Sequence, residues 1–108
     1  MTSSDQRVRV VVADDHPLYR EGVVRALLAT GQIEVLAEAE DGRQALKQIE
    51  EHEPQVAVLD YKLPELDGLQ VTHAVIRDGH ATRILMQVRT AKLRPGGIGS
   101  EPLSKSET

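Results

Sequence analysis

Residues 7–22 of the chain read RVRVVVADDHPLYREG, and they give the strongest local indication of the fold. Residues 7–13 are rich in valine and apolar on both faces, which is typical of a buried strand in a parallel sheet. The run stops at Asp14 and Asp15, and Pro17 suits the first turn of a helix. The stretch therefore predicts a buried strand, an acidic turn and a helix in immediate succession.

The same alternation of strand and helix continues as far as residue 88. After a first helix that stops near Gly31, the pattern predicts an edge strand at 34–40, a helix at 43–53, a buried strand at 56–59, a helix at 69–77 and a strand at 83–88. Apolar spacing predicts the inward-facing residues of the edge strand (Val35, Ala37, Ala39), of the first helix (Leu18, Val24, Leu27, Leu28) and of the third (Leu69, Thr72, Val75, Ile76). Such alternation predicts a parallel sheet covered by helices on both faces.

The composition narrows the class of protein. The 108 residues suffice for one small domain, and 40% of them are apolar, which is enough to build a core. The absence of cysteine excludes disulfide scaffolds, thiolate zinc sites and cysteine nucleophiles. No apolar run approaches ~20 residues and no signal-peptide pattern is present, so we expect a soluble, cytoplasmic protein without a membrane partner. The net charge of -4 argues against non-specific binding to nucleic acid.

The composition changes towards the end of the chain. Residues 1–87 carry 15 acidic and 9 basic side chains, a net charge of -6, whereas residues 88–108 carry a net charge of +2. The second part is rich in proline, glycine and serine and shows neither an amphipathic helix nor an apolar strand. We therefore expect one domain over residues 1–88 and an atypical tail, a loop or disordered segment, over residues 89–108.

Two of the predicted strands end in acidic residues. The first ends at Asp14 and Asp15, and the third ends at Asp60. Sites form outside the carboxyl ends of strands in an open parallel sheet, so the three carboxylates would meet if these strands are neighbours. Carboxylates packed that closely repel each other unless a cation neutralises them, and Mg²⁺ is the usual hard cation beside phosphate. One carboxylate could then act as a nucleophile and form an acyl phosphate.

Other interpretations of these residues remain open. Asp15 could cap the helix that begins near Pro17, and Asp60 could be a turn residue. An aspartate phosphatase would need a second acid two residues after its nucleophile, where this chain has Lys62. A nucleotide-binding domain would need a glycine-rich loop after the first strand, and the sequence has none there.

Two segments of the chain together resemble a known family. Residues 14–22 (DDHPLYREG) and residues 59–69 (LDYKLPELDGL) look like the receiver domain of bacterial two-component response regulators, of the NarL/LuxR-type subfamily. The resemblance covers about residues 7–87. It implies a flavodoxin-like (CheY-like) doubly wound sheet of five parallel strands in the order 2-1-3-4-5, with five helices. It also implies a phosphorelay module that serves transcription regulation.

The resemblance implies roles for individual residues. Asp60 would accept a phosphoryl group from a sensor histidine kinase in the presence of Mg²⁺. Asp15 would bind the ion directly, Asp14 would act mainly through water, and the backbone carbonyl of Lys62 would be the third protein ligand. The chain would then catalyse at most its own phosphorylation from a phosphohistidine donor and a slow autodephosphorylation.

Further residues near the acids carry weaker signals. Pro64 and Gly68 match the loop after the acceptor, where a fixed φ and a permissive backbone are useful. The resemblance gives His16 no role as a metal ligand or phosphodonor, so we expect it to pack at the entry of the first helix. The remaining histidines show no ligand spacing with a carboxylate and are expected at the surface: His52, His73 and His80.

The resemblance fails near the end of the chain. Receivers place a Ser or Thr at the end of the fourth strand and a Lys at the end of the fifth, and both side chains bind the phosphoryl group. Here Val88 stands at the hydroxyl position, Thr90 is a displaced candidate two residues later, and Lys105 lies too close to Asp60 in sequence. We therefore expect a truncated or altered receiver without the fourth helix, fifth strand, fifth helix or a DNA-binding domain.

These departures determine the expected partners. Loss of the last strand and helix would expose a sheet edge and apolar surface, which favours a homodimer or a strand-exchanged oligomer. Leu18, Tyr19 and Val23 suit a docking face for the kinase or a second copy, although a buried stripe would explain Leu18 equally well. No direct binding to nucleic acid is expected. A second hypothesis is an interaction fragment that docks or dimerises without signalling.

Overall fold

Strands and helices alternate along the chain, as the sequence predicts. The structure, a computed structural model, describes residues 6–88. Its elements in chain order are β1 (Val8–Ala13), α1 (Pro17–Ala29), β2 (Ile33–Ala39), α2 (Gly42–His52), β3 (Val56–Asp60), α3 (Gly68–Arg77) and β4 (Arg83–Gln87). The four strands are parallel and lie in the order β2-β1-β3-β4. This order is that of a flavodoxin-like sheet, and it makes β1 and β3 neighbours.

Some of the predictions concern residues that the structure does not describe. Thr90, Lys105 and the tail at 89–108 lie outside residues 6–88. The fourth helix, fifth strand and fifth helix of a complete receiver would also follow β4, so the predictions about them stay predictions. Within the described residues, no helix is long and apolar enough to cross a membrane.

Aliphatic side chains form a core on each face of the sheet. On one face, residues of α1 contact residues of β1 and β3: Val23, Val24, Leu27, Val10, Val12 and Val58. On the other face, residues of α2 and α3 cover the same strands: Ala45, Ile49, Val71, Val75, Ala57 and Leu59. Strand β1 is buried from Val10 onwards because both of its faces are covered, as its doubly apolar sequence predicts.

Strand β2 departs from simple alternation. Neighbouring residues of β1 pair with Val35 and Ala37, so Leu36 is an extra residue without a partner in this ladder. A bulge of this kind moves the side chains that follow it to the other face of the sheet. Val35 therefore packs on the α1 side and Ala39 on the α2 side. The prediction that they share one face is wrong for this reason.

Helix α1 is more exposed than its sequence pattern predicts. It contains no buried residue, and the side chains of Leu18 and Leu28 are 81% and 51% exposed. A buried stripe therefore does not explain Leu18 within the described part of the chain. Leu69 and Ile76 of α3 are exposed as well. The apolar residues that α3 does bury are Val71, Ala74 and Val75.

Two aspartates are the N-cap residues of α2 and α3. Asp41 Oδ1 accepts a hydrogen bond from the Gln44 N–H at 2.8 Å, and Asp67 Oδ1 accepts one from the Gln70 N–H at 2.8 Å. Gln70 Oε1 in turn accepts a hydrogen bond from the Asp67 N–H, which completes a capping box. These bonds satisfy N–H groups that a helix start leaves unpaired, so α2 and α3 each begin one residue earlier than predicted.

Candidate functional site

Three carboxylates meet at the carboxyl edge of the sheet. Ala13 of β1 pairs with Leu59 of β3, so the residues that follow them, Asp14 and Asp60, lie at the same edge. Both are buried, with 1% and 5% of their surface exposed, and the side chain of Asp15 is 32% exposed. Each contributes an oxygen to a group of ligand atoms that all lie within 4.8 Å of one another. Asp14, Asp15 and Asp60 are called the acidic cluster below.

The buried Oδ1 of Asp15 has no hydrogen-bond donor among residues 6–88. Asp14 Oδ1 accepts one from the His16 N–H at 2.8 Å, and Asp60 Oδ1 accepts one from the Lys62 N–H at 3.3 Å. Asp15 Oδ1 is buried and accepts none from any residue that the structure describes. A buried carboxylate oxygen without a donor, beside two further carboxylates, fits a divalent cation that prefers oxygen ligands. The ligand role of the Lys62 carbonyl stays a prediction.

His16 belongs to the same group of side chains. It is the N-cap residue of α1 and no side chain caps this helix, so Asp15 is not the cap. His16 Nδ1 lies 3.1 Å from Asp15 Oδ1 and 3.7 Å from Asp14 Oδ1. The imidazole meets the Tyr19 ring edge to face, with centroids 5.6 Å apart. The ring therefore lies at the entry of α1, in contact with both Tyr19 and the acidic cluster, and it is 51% exposed.

Arg20 holds the end of β1 in place. Its Nη1 donates to the backbone carbonyl of Asp14 at 2.7 Å, and its Nε donates to Glu38 Oε1 at 3.1 Å. The side chain is 20% exposed, so these charge-assisted bonds are partly shielded from water. Arg20 therefore connects α1, the edge strand β2 and the residue that carries a carboxylate of the acidic cluster. The sequence pattern shows it only as a polar position of the first helix.

The loop between β3 and α3 is tied to three elements. The Tyr61 N–H donates to the last carbonyl of β4 at 2.9 Å, and the Tyr61 carbonyl accepts from the Gly68 N–H at 2.8 Å. The Pro64 carbonyl accepts a hydrogen bond from the Gly42 N–H of α2 at 2.9 Å. These bonds hold the chain that follows Asp60 against both helices and the neighbouring strand.

Gly42 and Gly68 permit this close approach. A methyl group on Gly68 would lie 2.5 Å from the Met86 sulfur and 3.0 Å from the backbone oxygen of Asp60. A Cβ on Gly42 would collide with the backbone carbonyl of Leu66. Neither glycine has a positive φ. The small size of Gly68, rather than the permissive backbone expected from the sequence, is what the loop requires.

A second group of possible ligands lies away from the acidic cluster. Glu50, Asp78 and His80 each place one ligand atom within 4.8 Å of the others, a grouping that their spacing in the sequence does not indicate. The two acids are exposed, and Arg77 donates a hydrogen bond to Asp78 at 3.0 Å. This hydrogen bond lowers the pKa of Asp78. Asp78 therefore already has a cationic partner.

Comparison with known proteins identifies the family. Residues 10–94 match the family described as the response regulator receiver domain. The chain belongs to this family. NarL from Mycobacterium tuberculosis is 54% identical over 81 residues, which cover 75% of this chain. DegU from Brevibacillus brevis, a transcriptional regulatory protein, is 32% identical over 83 residues, which cover 77% of this chain. The matched receiver spans 38% and 35% of the lengths of these two relatives.

Solved structures give the same family. The signal receiver domain of NarL from Mycobacterium tuberculosis has a TM-score of 0.76 and 53% identity, and the match covers 77% of this chain and 67% of that one. A LuxR-family DNA-binding response regulator from Staphylococcus aureus has a TM-score of 0.74 and 28% identity, with 82% and 72% covered. The predicted flavodoxin-like fold and the predicted response-regulator family are confirmed.

Val88 is the described residue that the family resemblance places at the hydroxyl position of receivers. Val88 follows β4 directly and is 67% exposed, and its side chain cannot donate a hydrogen bond. Thr90 and Lys105, the candidates for the missing hydroxyl and ammonium, lie outside the described residues. Among residues 6–88, the acidic cluster, His16 and the loop after Asp60 are the groups that lie together at this edge of the sheet.

Proposed function

We propose that this receiver accepts a phosphoryl group on Asp60 from a phosphohistidine of a sensor histidine kinase. The observation that carries the proposal is the position of Asp60, the last residue of β3, beside two other carboxylates at the edge of the sheet. Membership of the receiver family supports it, because phosphoacceptance is the role of that family. Asp60 keeps a small exposed fraction, 5%, whereas the preceding Leu59 has none.

The proposed reaction is a substitution at phosphorus. A carboxylate oxygen of Asp60 forms a bond to phosphorus while the bond between phosphorus and the donor imidazole nitrogen breaks. The imidazole leaves with the electron pair and takes up a proton, and the product is an acyl phosphate. Water then hydrolyses the acyl phosphate slowly to Asp60 and inorganic phosphate. The Lys62 N–H, 3.3 Å from Asp60 Oδ1, holds the carboxylate in place.

Mg²⁺ is the cofactor that we propose for this reaction. Asp14, Asp15 and Asp60 would hold it, together with the backbone carbonyl of Lys62. The ion would neutralise the negative charge that gathers on the phosphoryl oxygens. The orphaned Asp15 Oδ1 supports a direct role for that residue. Arg20 would hold Asp14 in position beside the other carboxylates through its 2.7 Å hydrogen bond to the Asp14 carbonyl.

The exposed apolar end of α1 is the proposed docking face for the kinase. Leu18 and Tyr19 are 81% and 53% exposed, and they lie in the first turn of α1, shortly after Asp14 and Asp15 in the chain. A partner seated there would bury both side chains and bring its phosphohistidine close to Asp60. Leu18→Ala should therefore slow transfer from the kinase and leave phosphorylation by acetyl phosphate unchanged. Equal slowing with both donors would exclude this docking face.

A second copy of the chain is the other proposed partner. Within residues 6–88 the outer edge of β4 pairs with no strand, and Leu85 on β4 is 57% exposed. Unpaired edges with apolar side chains favour association. The mass measured by light scattering should rise with protein concentration, and Leu85→Lys should reduce this rise. A monomer at every concentration would refute the proposal.

Intact-mass spectrometry tests phosphorylation. The protein is incubated with acetyl phosphate and Mg²⁺, and circular dichroism first shows that each sample is folded. The wild type should gain one phosphoryl group, and Asp60→Asn should gain none. An adduct that survives in Asp60→Asn, or no adduct on a folded wild type, would refute the assignment of Asp60. Omission of Mg²⁺ should slow the reaction strongly.

A second candidate function is an interaction module that binds the kinase but does not switch. Val88, at the position where receivers carry a hydroxyl, favours this candidate. It predicts phosphorylation of Asp60 without a change in tertiary structure or association. NMR spectra recorded with and without beryllofluoride and Mg²⁺ separate the two candidates. Shifts confined to the site would support the module, and shifts that extend to β4 would support a switch.

A further inference from the structure

We propose that the imidazole of His16 is a ligand of the divalent cation that the acidic cluster takes up. The site would then accept Mn²⁺ and Co²⁺ more readily, relative to Mg²⁺, than a site with oxygen ligands alone. The inference rests on the proposed function, because it assumes that the acidic cluster holds the cation used for phosphorylation.

The distance between His16 and Asp15 suits two ligands of one ion. Neighbouring ligands of an octahedral ion with bonds of about 2.1 Å stand about 3.0 Å apart, because they meet at a right angle. His16 Nδ1 lies 3.1 Å from Asp15 Oδ1 and 3.7 Å from Asp14 Oδ1. The 3.1 Å distance to Asp15 Oδ1 fits two neighbouring direct ligands, and the 3.7 Å distance to Asp14 Oδ1 is too long for such a pair. Asp14 would then act through water, while His16 and Asp15 bind directly.

The orientation of His16 Nδ1 relative to Asp15 Oδ1 also supports a shared ion. Asp15 Oδ1 accepts no hydrogen bond although a ring nitrogen lies 3.1 Å away, so the His16 Nδ1 is not aimed at that oxygen. Two ligands of one ion point at the ion and not at each other. A cation bound by both atoms would explain why Asp15 Oδ1 has no donor and why His16 Nδ1 does not donate to it.

The backbone and Tyr19 hold the imidazole in position. The His16 N–H donates to Asp14 Oδ1 at 2.8 Å, which fixes the residue against the acidic cluster. The ring is edge to face with Tyr19 at an angle of 83°. The His16 side chain makes no capping bond to α1, so its Nδ1 is not engaged as a helix cap. Tyr19 would therefore be a positioning residue for the ligand.

A nitrogen ligand changes which ion the site prefers. Mg²⁺ favours oxygen ligands and gives up water reluctantly, whereas imidazole suits first-row transition metals. Affinity for such a site rises from Mn²⁺ to Co²⁺. Removal of the imidazole should therefore weaken the binding of Co²⁺ most and of Mn²⁺ somewhat less, and it should change the binding of Mg²⁺ little.

Pulsed EPR of the Mn²⁺-loaded receiver tests the ligand directly. The wild type should show the ¹⁴N coupling of a coordinated imidazole, and His16→Phe, which keeps a ring against Tyr19, should lose it. By calorimetry, His16→Phe should bind Co²⁺ and Mn²⁺ about tenfold more weakly, the usual scale for residues that support a metal site, while Mg²⁺ affinity changes less than about twofold. His80→Gln is the matched control, because it removes the histidine of the other acidic group and should change neither readout.

Three results would overturn the inference. They are a bound Mn²⁺ without ¹⁴N coupling in the wild type, a coupling that persists in folded His16→Phe, and a coupling lost only in His80→Gln. Asp15→Asn separates this failure from failure of the proposed function. If Mg²⁺ binds in an Asp15-dependent manner and Asp60 is phosphorylated without ¹⁴N coupling, only the role of His16 fails. If Asp15→Asn leaves cation binding unchanged, the proposed acidic site fails as well.

Discussion

Alanine at Gly68 should destabilise the receiver, although glycine-to-alanine changes in helices normally stabilise proteins. The helix propensity of alanine would contribute about 0.8–1.0 kcal/mol at an unhindered helical position. The added methyl group would lie 2.5 Å from the Met86 sulfur, 3.0 Å from the Asp60 backbone oxygen and 3.1 Å from Tyr61 Cα. Overpacking of this kind costs about 1–3 kcal/mol, so we expect a net loss of about 1 kcal/mol.

Gly22→Ala is the matched control for this change. Gly22 lies within α1, and a Cβ built there meets no atom within 4 Å. The control should therefore gain about 1 kcal/mol, which separates the two variants by about 2 kcal/mol in the free energy of unfolding. Urea titrations followed by far-UV circular dichroism measure that separation.

The same two variants also test the link between the loop and the phosphoacceptor. The methyl group of Gly68→Ala abuts the backbone of Asp60, so phosphorylation by acetyl phosphate should slow in this variant and not in Gly22→Ala. Equal stabilisation by both substitutions would show that the loop after Asp60 is not packed against α3. Unchanged phosphorylation of a destabilised Gly68→Ala would show that this packing does not place the carboxylate.

Three further changes address other parts of the site and its surroundings. Glu65 has a φ of 71°, a conformation that glycine adopts with less strain than other residues. Glu65→Gly should therefore raise the free energy of unfolding by about 0.5–1 kcal/mol in urea titrations, and a decrease would refute backbone strain at this residue. Arg20→Gln removes the 2.7 Å hydrogen bond to the Asp14 carbonyl and should lower the free energy of unfolding by about 1–2 kcal/mol. Calorimetry should also show weaker Mg²⁺ binding, and an unchanged Mg²⁺ affinity would limit Arg20 to a structural role. Arg77→Gln should raise the pKa of Asp78 towards its ordinary value in an NMR titration, and an unmoved pKa would contradict the ion pair.

The buried strands and their acidic ends could be predicted from the sequence. The valine-rich run of β1 is apolar on both faces, which is typical of a strand that is covered on both faces of the sheet. Asp14, Asp15 and Asp60 follow two such runs, and the carboxyl ends of parallel strands meet at one edge. The strand order itself came from the family resemblance, because local sequence does not encode which strands are neighbours.

Other features depend on contacts between distant segments. The bulge at Leu36 comes from pairing with β1, which no local pattern reveals. Asp67 and Gln70 have the spacing of a capping box, which is a local sequence signal for the start of α3 at Gly68. The size requirement at Gly68 depends on Met86, eighteen residues away, and could not be found in this way.

His16 shows how a functional candidate can be missed. Three consecutive residues with ligand atoms, Asp14, Asp15 and His16, are a visible signal in the sequence. Side chains that follow one another in an extended strand point in different directions, so sequence alone does not place their atoms together. They converge here because the chain turns from β1 into α1 at this point, with His16 as the N-cap.

The most direct test of the account identifies the residue that carries the phosphoryl group. The protein is phosphorylated with acetyl phosphate and Mg²⁺, the acyl phosphate is reduced with borohydride to the alcohol, and the digested peptides are sequenced by mass spectrometry. Homoserine should replace Asp60, and positions 14 and 15 should remain unmodified aspartate. Homoserine at either of those positions, or at none in a folded sample, would contradict the account.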